Sequence, residues 1–276
     1  MDYLQELFSV TGKKALVTGG ATGIGRMVAT ALVRGGASVM IASRKAEACE
    51  AVASELNAMD APGSAEGFAG NVATEEGILA LADAVRSRTD ALDILVNNAG
   101  TTWGEPLGTF PYHAWGRVLG VNVAGLFTLT QELLPLLEKA GSDEDPARVI
   151  NLGSVMGTQP LAEGAYSYSA SKAAVHHLTR ILSSELAGQR ITVNAFAPGP
   201  FQSNMTAFAT GTDKQVDTVS QGVPIGRIGS PDDIAAATLY LCSKGGSYIT
   251  GAILPIDGGL SVHHGKGLFA EAAHTG

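Results

Sequence analysis

The sequence predicts an α/β fold, a doubly wound parallel sheet of about seven strands with helices on both faces, in a single domain. Three observations carry this. Short apolar runs recur along the chain, as strands buried on both faces require, and helical patterns separate them. No Pro/Ser-rich linker or internal repeat interrupts the alternation. The first run ends in a glycine-rich turn that opens a helix, which makes the sheet Rossmann-like.

Taken in order, residues 14–18 (KALVT) form the first strand and stop at Gly19-Gly20. A helical pattern covers 24–34, residues 38–42 (SVMIA) give the second strand, and an alanine-rich helix runs to Met59. A weaker strand lies near Phe68, a helix covers 74–86, and residues 93–96 (DILV) begin the fourth strand. A long helix spans 112–139, bent where Pro135 removes a backbone donor. Residues 149–152, 191–196 and 253–256 supply the last three strands. The segment 141–146 (GSDEDP) is too short to divide the chain, so residues 1–276 read as one domain, with a core at 11–259 and a loosely held polar tail at 260–276.

Composition narrows the function classes. With 276 residues, 45% hydrophobic and 16% charged, the chain is neither disordered nor fibrous and buries a core. Against 18 basic stand 26 acidic residues, a net charge of −8. Nucleic acid and anionic membrane surfaces demand a concentrated positive face, so neither is expected as a partner. Cys49 and Cys242 form no disulfide framework, residues 1–10 have no signal-peptide pattern, and no apolar stretch approaches the ~20 residues of a membrane helix. The expected location is the cytoplasm.

The turn Thr18-Gly19-Gly20-Ala21-Thr22-Gly23-Ile24-Gly25 has the chemistry of a pyrophosphate cradle. Glycines let the backbone approach the phosphates, and the helix N-terminus offers free N–H groups, so Gly19, Thr22, Gly23, Ile24 and Gly25 are expected at a dinucleotide. No Lys-Ser/Thr follows the last glycine, which excludes a triphosphate-binding loop. The second strand ends in Ser43-Arg44-Lys45, without the carboxylate that grips both ribose hydroxyls of NAD. A guanidinium fork and a hydroxyl suit a 2′-phosphate instead, so the cofactor is expected to be NADP(H), held by Ser43 and Arg44.

Three further segments follow strands. Asn97-Asn98-Ala99-Gly100 follows the fourth strand and Ser154 follows the fifth. Tyr168 and Lys172 lie four apart, on one face of a helix. Taken singly, each has a plain alternative: turn-forming asparagines, a loop serine, a chance pair. Tyr166 lacks a partner, because Ala170 stands four residues on.

Together these motifs resemble the short-chain dehydrogenase/reductase family. The resemblance runs over about residues 11–259 and includes Asn122 in Val121-Asn122-Val123, Pro198-Gly199, Ile249-Thr250-Gly251 and Asp257-Gly258-Gly259. Segments 146–151 and 201–205 look closest to the bacterial β-ketoacyl reductases of rhamnolipid synthesis. The resemblance implies hydride transfer between the nicotinamide and a carbonyl or secondary alcohol. Tyr168 is then the proton donor or acceptor and Ser154 binds the reacting oxygen. Lys172 holds the ribose and presses on the tyrosine, and Asn122 holds a water behind Lys172. Lowering a phenol from ~10 to neutrality takes roughly 4 kcal/mol, about what one cation at ~4 Å supplies at an effective dielectric of 20.

The resemblance also places Asn71 and Val72 at adenine, where an Asp is usual, Asn98, Ala99 and Gly100 along the cofactor, and Pro198, Gly199 and Ser203 at the nicotinamide. Trp103, Met156, Ser154, Tyr168 and the 201–224 loop are expected to wall an uncharged carbonyl or acyl substrate. A carrier protein is disfavoured as donor, because carriers are acidic, as is the 142–145 connection; Arg148, Arg180 and Arg190 are the candidate counter-patch. The alternatives are an alcohol, sugar or steroid dehydrogenase working in oxidation, and a non-catalytic NADP-binding regulator. No metal is expected, since His113, His176 and His177 lack carboxylate or thiolate companions at ligand spacing. Asp93 and Asp257 are read as caps or turn formers. Family members of this size assemble as tetramers or dimers through the helices at 118–139 and 173–186.

Overall fold

A computed structural model describes residues 3–203 and 205–263. In chain order the elements are α1 (Tyr3–Phe8), β1 (Lys14–Thr18), α2 (Gly23–Arg34), β2 (Ser38–Ser43), α3 (Ala46–Asn57), β3 (Ser64–Ala69) and α4 (Glu75–Arg86). There follow β4 (Ile94–Asn97), α5 (His113–Leu119), α6 (Leu126–Ala140), β5 (Ala147–Leu152), α7 (Tyr166–Leu186) and β6 (Ile191–Pro198). The described chain closes with α8 (Ala207–Thr210), α9 (Asp213–Gln221), α10 (Pro231–Cys242) and β7 (Ile253–Ile256).

The strands form one seven-stranded sheet in the order β3-β2-β1-β4-β5-β6-β7, and every pairing is parallel. Alternate residues face opposite sides, so the sheet makes two cores. Val17, Val96 and Ile150 pack with Val28 and Leu32 of α2 and Leu241 of α10. Leu16, Leu95 and Val149 pack with Leu129 and Leu133 of α6 and Leu182 of α7. Strand order reverses between β1 and β4, and a ligand crevice opens beyond the carboxyl ends of the strands at such a point.

Caps set several helix starts. The Thr74 side chain accepts from Gly77 N at 3.2 Å, and Ser230 and Asp233 form a capping box ahead of Pro231. Asp93 and Asp257 are structural, as expected: Asp93 accepts from Lys14 N at 2.7 Å, and Asp257 accepts from Gly259 N and Ser261 N. Gln159 donates to Ser261 O at 2.8 Å, so the first residues past 259 are tied down rather than loose; residues 264–276 of the expected tail lie outside the described residues.

Three expectations are corrected. The long helix runs through Pro135 within α6, and its departure from α geometry is a π-helical turn at Gly120–Gly125. There Gly125 lies against the Val72 carbonyl, which a Cβ would approach to 2.2 Å. The same stretch, His113–Ala140, is long and apolar enough by length and composition to cross a membrane. Its apolar face is spent inside the protein, with Leu129, Leu133 and Leu137 fully buried under the sheet.

The third correction concerns Arg148, which has no exposed surface and cannot belong to a docking patch. Its guanidinium donates to Leu241 O at 3.1 Å, Ser243 O at 2.9 Å, Asp145 Oδ1 at 2.7 Å and Pro146 O, so it satisfies carbonyls at the end of α10. Lys13 also reaches Asp145, at 2.6 Å. Arg148→Met is expected to cost about 2–3 kcal/mol by orphaning these acceptors, read as a lower midpoint in urea unfolding.

Candidate active site

The turn after β1 brings backbone where side chains cannot go. Gly19 and Gly23 have φ of +66° and +52°. A Cβ on Gly25 would lie 2.4 Å from Gly19 O and 2.3 Å from Asn98 Nδ2, so the first turn of α2 packs directly on the loop. Thr22, at the N-cap of α2, makes no side-chain bond to that turn. The loop is braced from β4. Asn98 Nδ2 donates to Thr18 O (2.8 Å) and Gly19 O (3.1 Å), while Thr18 Oγ1 accepts from Asn98 N and Ala99 N. An uncapped helix start beside a glycine cradle fits a pyrophosphate.

At the next strand, Gly19 N donates to Ala42 O at 2.7 Å, which sets the end of β2 beside the cradle. Ser43 Oγ lies 3.1 Å from the buried Cys49 thiol and accepts from Lys45 N. Arg44 is exposed and makes no hydrogen bond or ion pair among the described residues. A free guanidinium at this place fits a 2′-phosphate. Asn71 Oδ1 is engaged by Ala73 N at 3.0 Å, and Val72 O packs on Gly125.

Ser154, Tyr168 and Lys172 converge on one cavity. Ser154 follows β5 and caps a single 3-10 turn, Val155–Gly157, its Oγ accepting from Met156 N at 3.2 Å. Tyr168 and Lys172 stand one turn apart on α7. The Lys172 ammonium donates to Leu152 O at 2.5 Å and lies 5.5 Å from the Tyr168 ring centroid. Burial pushes its pKa down to about 8. Burial raises the Tyr168 pKa above 10.0, and a hydrogen bond with Ser154 opposes that rise.

The family resemblance implies that Lys172 presses on the tyrosine while holding the ribose. Here the carbonyl of Leu152 holds the ammonium instead, and the phenol stays protonated at neutral pH. Asn122 sits in the π-helical turn. Its Oδ1 accepts from Thr101 N (2.8 Å), and its Nδ2 donates to Thr101 O and to Ser171 Oγ, both at 2.9 Å. Ser171 Oγ in turn donates to the Tyr168 carbonyl at 2.7 Å. Nothing in the local sequence pattern signalled the bracing by Thr101 and Ser171.

The burial of Lys172 has a measurable consequence. Its folded pKa is depressed from 10.5 to about 8, so the unfolded chain binds more protons between those values. The cost is fully present below pH 8, shrinks as pH rises, and is gone above 10.5. At neutral pH it is on the order of 3 kcal/mol. Lys172→Met is therefore expected to raise the Tm of the ligand-free protein at pH 7, with the gain vanishing in strongly alkaline buffer.

The shared cavity, of about 230 Å³, is lined by the glycine loop, residues 98–100, Ser154, Tyr168 and Lys172, and by Pro198, Gly199 and Ser203 from beyond β6. Phe201, Met205 and Thr206 also line it, and Lys172 is its one charged lining residue among those described. The turn at 155–157 places Met156 on a neighbouring cavity of about 830 Å³, with Trp115 and Tyr166. Trp103 lines neither: its ring meets His113 edge-on at 5.1 Å and lies 5.4 Å from the Arg117 guanidinium. The structure therefore brings neither Met156 nor Trp103 to the cleft that holds Ser154. His177 is exposed, whereas His176 is buried and faces Ser154.

A family model described as Enoyl-(Acyl carrier protein) reductase matches residues 19–261. The chain belongs to the short-chain dehydrogenase/reductase family, and it is an NADP(H)-dependent oxidoreductase. It is 45% identical to the rhamnolipids biosynthesis 3-oxoacyl-[acyl-carrier-protein] reductase of Pseudomonas aeruginosa, over 91% of this chain and 97% of that one. A solved Pseudomonas aeruginosa RhlG/NADP active-site complex superposes with a TM-score of 0.89 at 44% identity, covering 93% of this chain and 99% of the other. Galactitol 2-dehydrogenase (L-tagatose-forming) of Cereibacter sphaeroides is 37% identical over 95% of this chain and all of its own length.

Proposed function

We propose that this chain reduces the 3-oxo group of an acyl thioester, with Ser154, Tyr168 and Lys172 as its catalytic residues. The observation that carries the reading is that these three side chains share one cavity with the glycine cradle. Bound NADPH supplies the hydride to the carbonyl carbon. Tyr168, protonated at neutral pH, gives its hydroxyl proton to the carbonyl oxygen as negative charge develops there. The Ser154 oxygen accepts from Met156 N–H, which leaves its own proton for the same substrate oxygen. Lys172, one helical turn from Tyr168, returns the lost proton and holds the ribose. Asn122 fixes the turn of α7 that carries Tyr168, through Ser171.

The glycine loop and the first turn of α2 hold the pyrophosphate. Arg44 and Ser43 hold the 2′-phosphate, and Asn71 and Val72 flank the adenine. Asn98, Ala99 and Gly100 wall the cofactor, and Pro198, Gly199 and Ser203 meet the nicotinamide. A cleft without a second cation suits an uncharged carbonyl. The burial of Arg148 leaves only Arg180 and Arg190 of the three candidate arginines exposed, which favours a coenzyme A thioester over one on an acidic carrier. The enzyme works in the cytoplasm as a homotetramer of single-domain subunits. Phe127 and Ile181, exposed on α6 and α7, support that assembly.

The polyol reading is favoured by the similarity to galactitol 2-dehydrogenase. A rate comparison separates the two. NADPH oxidation with acetoacetyl coenzyme A is expected to exceed NADP+ reduction with galactitol by an order of magnitude or more in kcat/KM. The reverse ranking would overturn the thioester assignment and leave the catalytic residues in place.

A further inference from the structure

We infer that His176 is a positioning residue for Ser154, holding the serine's backbone at the end of β5 so that its hydroxyl faces Tyr168. The imidazole Nε2 accepts from Ser154 N at 3.4 Å. The ring is 5% exposed and lies on α7, one turn beyond Lys172. It wedges between that helix and the turn that carries Ser154.

The turn is shaped around the ring. Glycine stands at both of its ends, and a Cβ on Gly153 would lie 2.3 Å from His176 Nε2, one on Gly157 2.7 Å from its Cε1. The Gly157 Cβ would also lie 2.8 Å from the Lys172 carbonyl carbon, so the turn and the helix meet without space for any side chain there. A polar ring in a buried helical stripe needs a reason, because an aliphatic residue would fill the space without desolvating two nitrogens. The reason is the Ser154 amide, a buried donor whose hydrogen bond this imidazole accepts.

Acceptance at Nε2 requires the neutral ring with its proton on Nδ1. Burial, with Lys172 and Arg180 as the charged groups acting on the ring, presses its pKa down to about 4, so this form is held throughout the neutral range.

The inference rests on Ser154 being catalytic, and the test separates the two. His176→Leu keeps the bulk and removes the acceptor, whereas His176→Gln keeps an acceptor near Nε2. The leucine variant is expected to lose about tenfold in kcat, the consequence of one buried donor left unpaired. KM and the NADPH dissociation constant, read by fluorescence, stay unchanged, and glutamine restores most of the rate. In a Ser154→Ala background the leucine change is expected to have no further effect. A full-rate Ser154→Ala enzyme would defeat the catalytic reading. A leucine loss of equal size in both backgrounds would defeat only the role of His176. Should the leucine variant not fold, 15N NMR of the wild type decides alone: the Nδ1–H tautomer supports the inference, and a proton on Nε2 overturns it.

Discussion

Tyr168→Phe is expected to lower kcat by about 10²–10⁴ while NADPH binds with unchanged affinity. The substitution removes one oxygen from a half-buried ring on α7, so the fold has little to lose. What it removes is the proton donor. Ser154 cannot replace it, because an aliphatic hydroxyl stabilises a developing oxyanion by hydrogen bonding but does not give up its proton near neutral pH. Stopped-flow measurement of a single turnover checks this, since product release is then excluded from the rate. A variant that transfers hydride within a factor of a few of the wild type would remove Tyr168 from the chemistry.

Arg44→Asp is expected to lower the ratio of kcat/KM with NADPH to that with NADH by about 10²–10³. The guanidinium is exposed and makes no hydrogen bond or ion pair among the described residues, so its removal breaks none. It stands one residue past Ser43, the last residue of the strand paired with β1, beside the loop that Gly19 opens. Reversing its sign sets a carboxylate against a 2′-phosphate and offers an acceptor to a 2′-hydroxyl, so the two cofactors respond in opposite directions. Parallel steady-state assays with both dinucleotides measure the ratio directly. An unchanged ratio would show that the 2′-phosphate is held elsewhere.

The sheet was largely legible because its strands are buried on both faces and read as unbroken apolar runs. Residues 14–18 and 253–256 match β1 and β7 at both ends. β3 was faint for a physical reason: it lies at the sheet edge and only Phe68 within it is buried, under the Arg88 guanidinium. The glycine cradle and the Ser154, Tyr168 and Lys172 positions were legible because each requires particular residue types close together in sequence.

What was hidden depends on partners far along the chain. Arg148 reads as a surface cation just before an apolar strand, and the carbonyls of Leu241 and Ser243, 93 and 95 residues on, explain its burial. Asn98 lines the cleft, but the bracing of the β1 loop by its amide joins residues 79 and 80 positions apart, which no local pattern shows. The π-helical turn at 120–125 follows from the approach of Gly125 to Val72, which no local periodicity encodes. The ammonium of Lys172 donates to the Leu152 carbonyl, 20 residues back along the chain, a contact that spacing on a helix face does not reveal.

The ionisation of Tyr168 is tested most directly in the NADP+-loaded protein. In the ligand-free protein burial keeps the Tyr168 phenol above its ordinary 10.0, so its ionisation needs positive charge brought to it. Ultraviolet difference titration of tyrosinate, comparing wild type with Tyr168→Phe, measures this with and without saturating NADP+. One additional ionisation well below pH 10 is expected in the NADP+ complex, absent from the variant and absent from the ligand-free wild type. A Tyr168-dependent ionisation at the same pH in both states, or none in either, would contradict this.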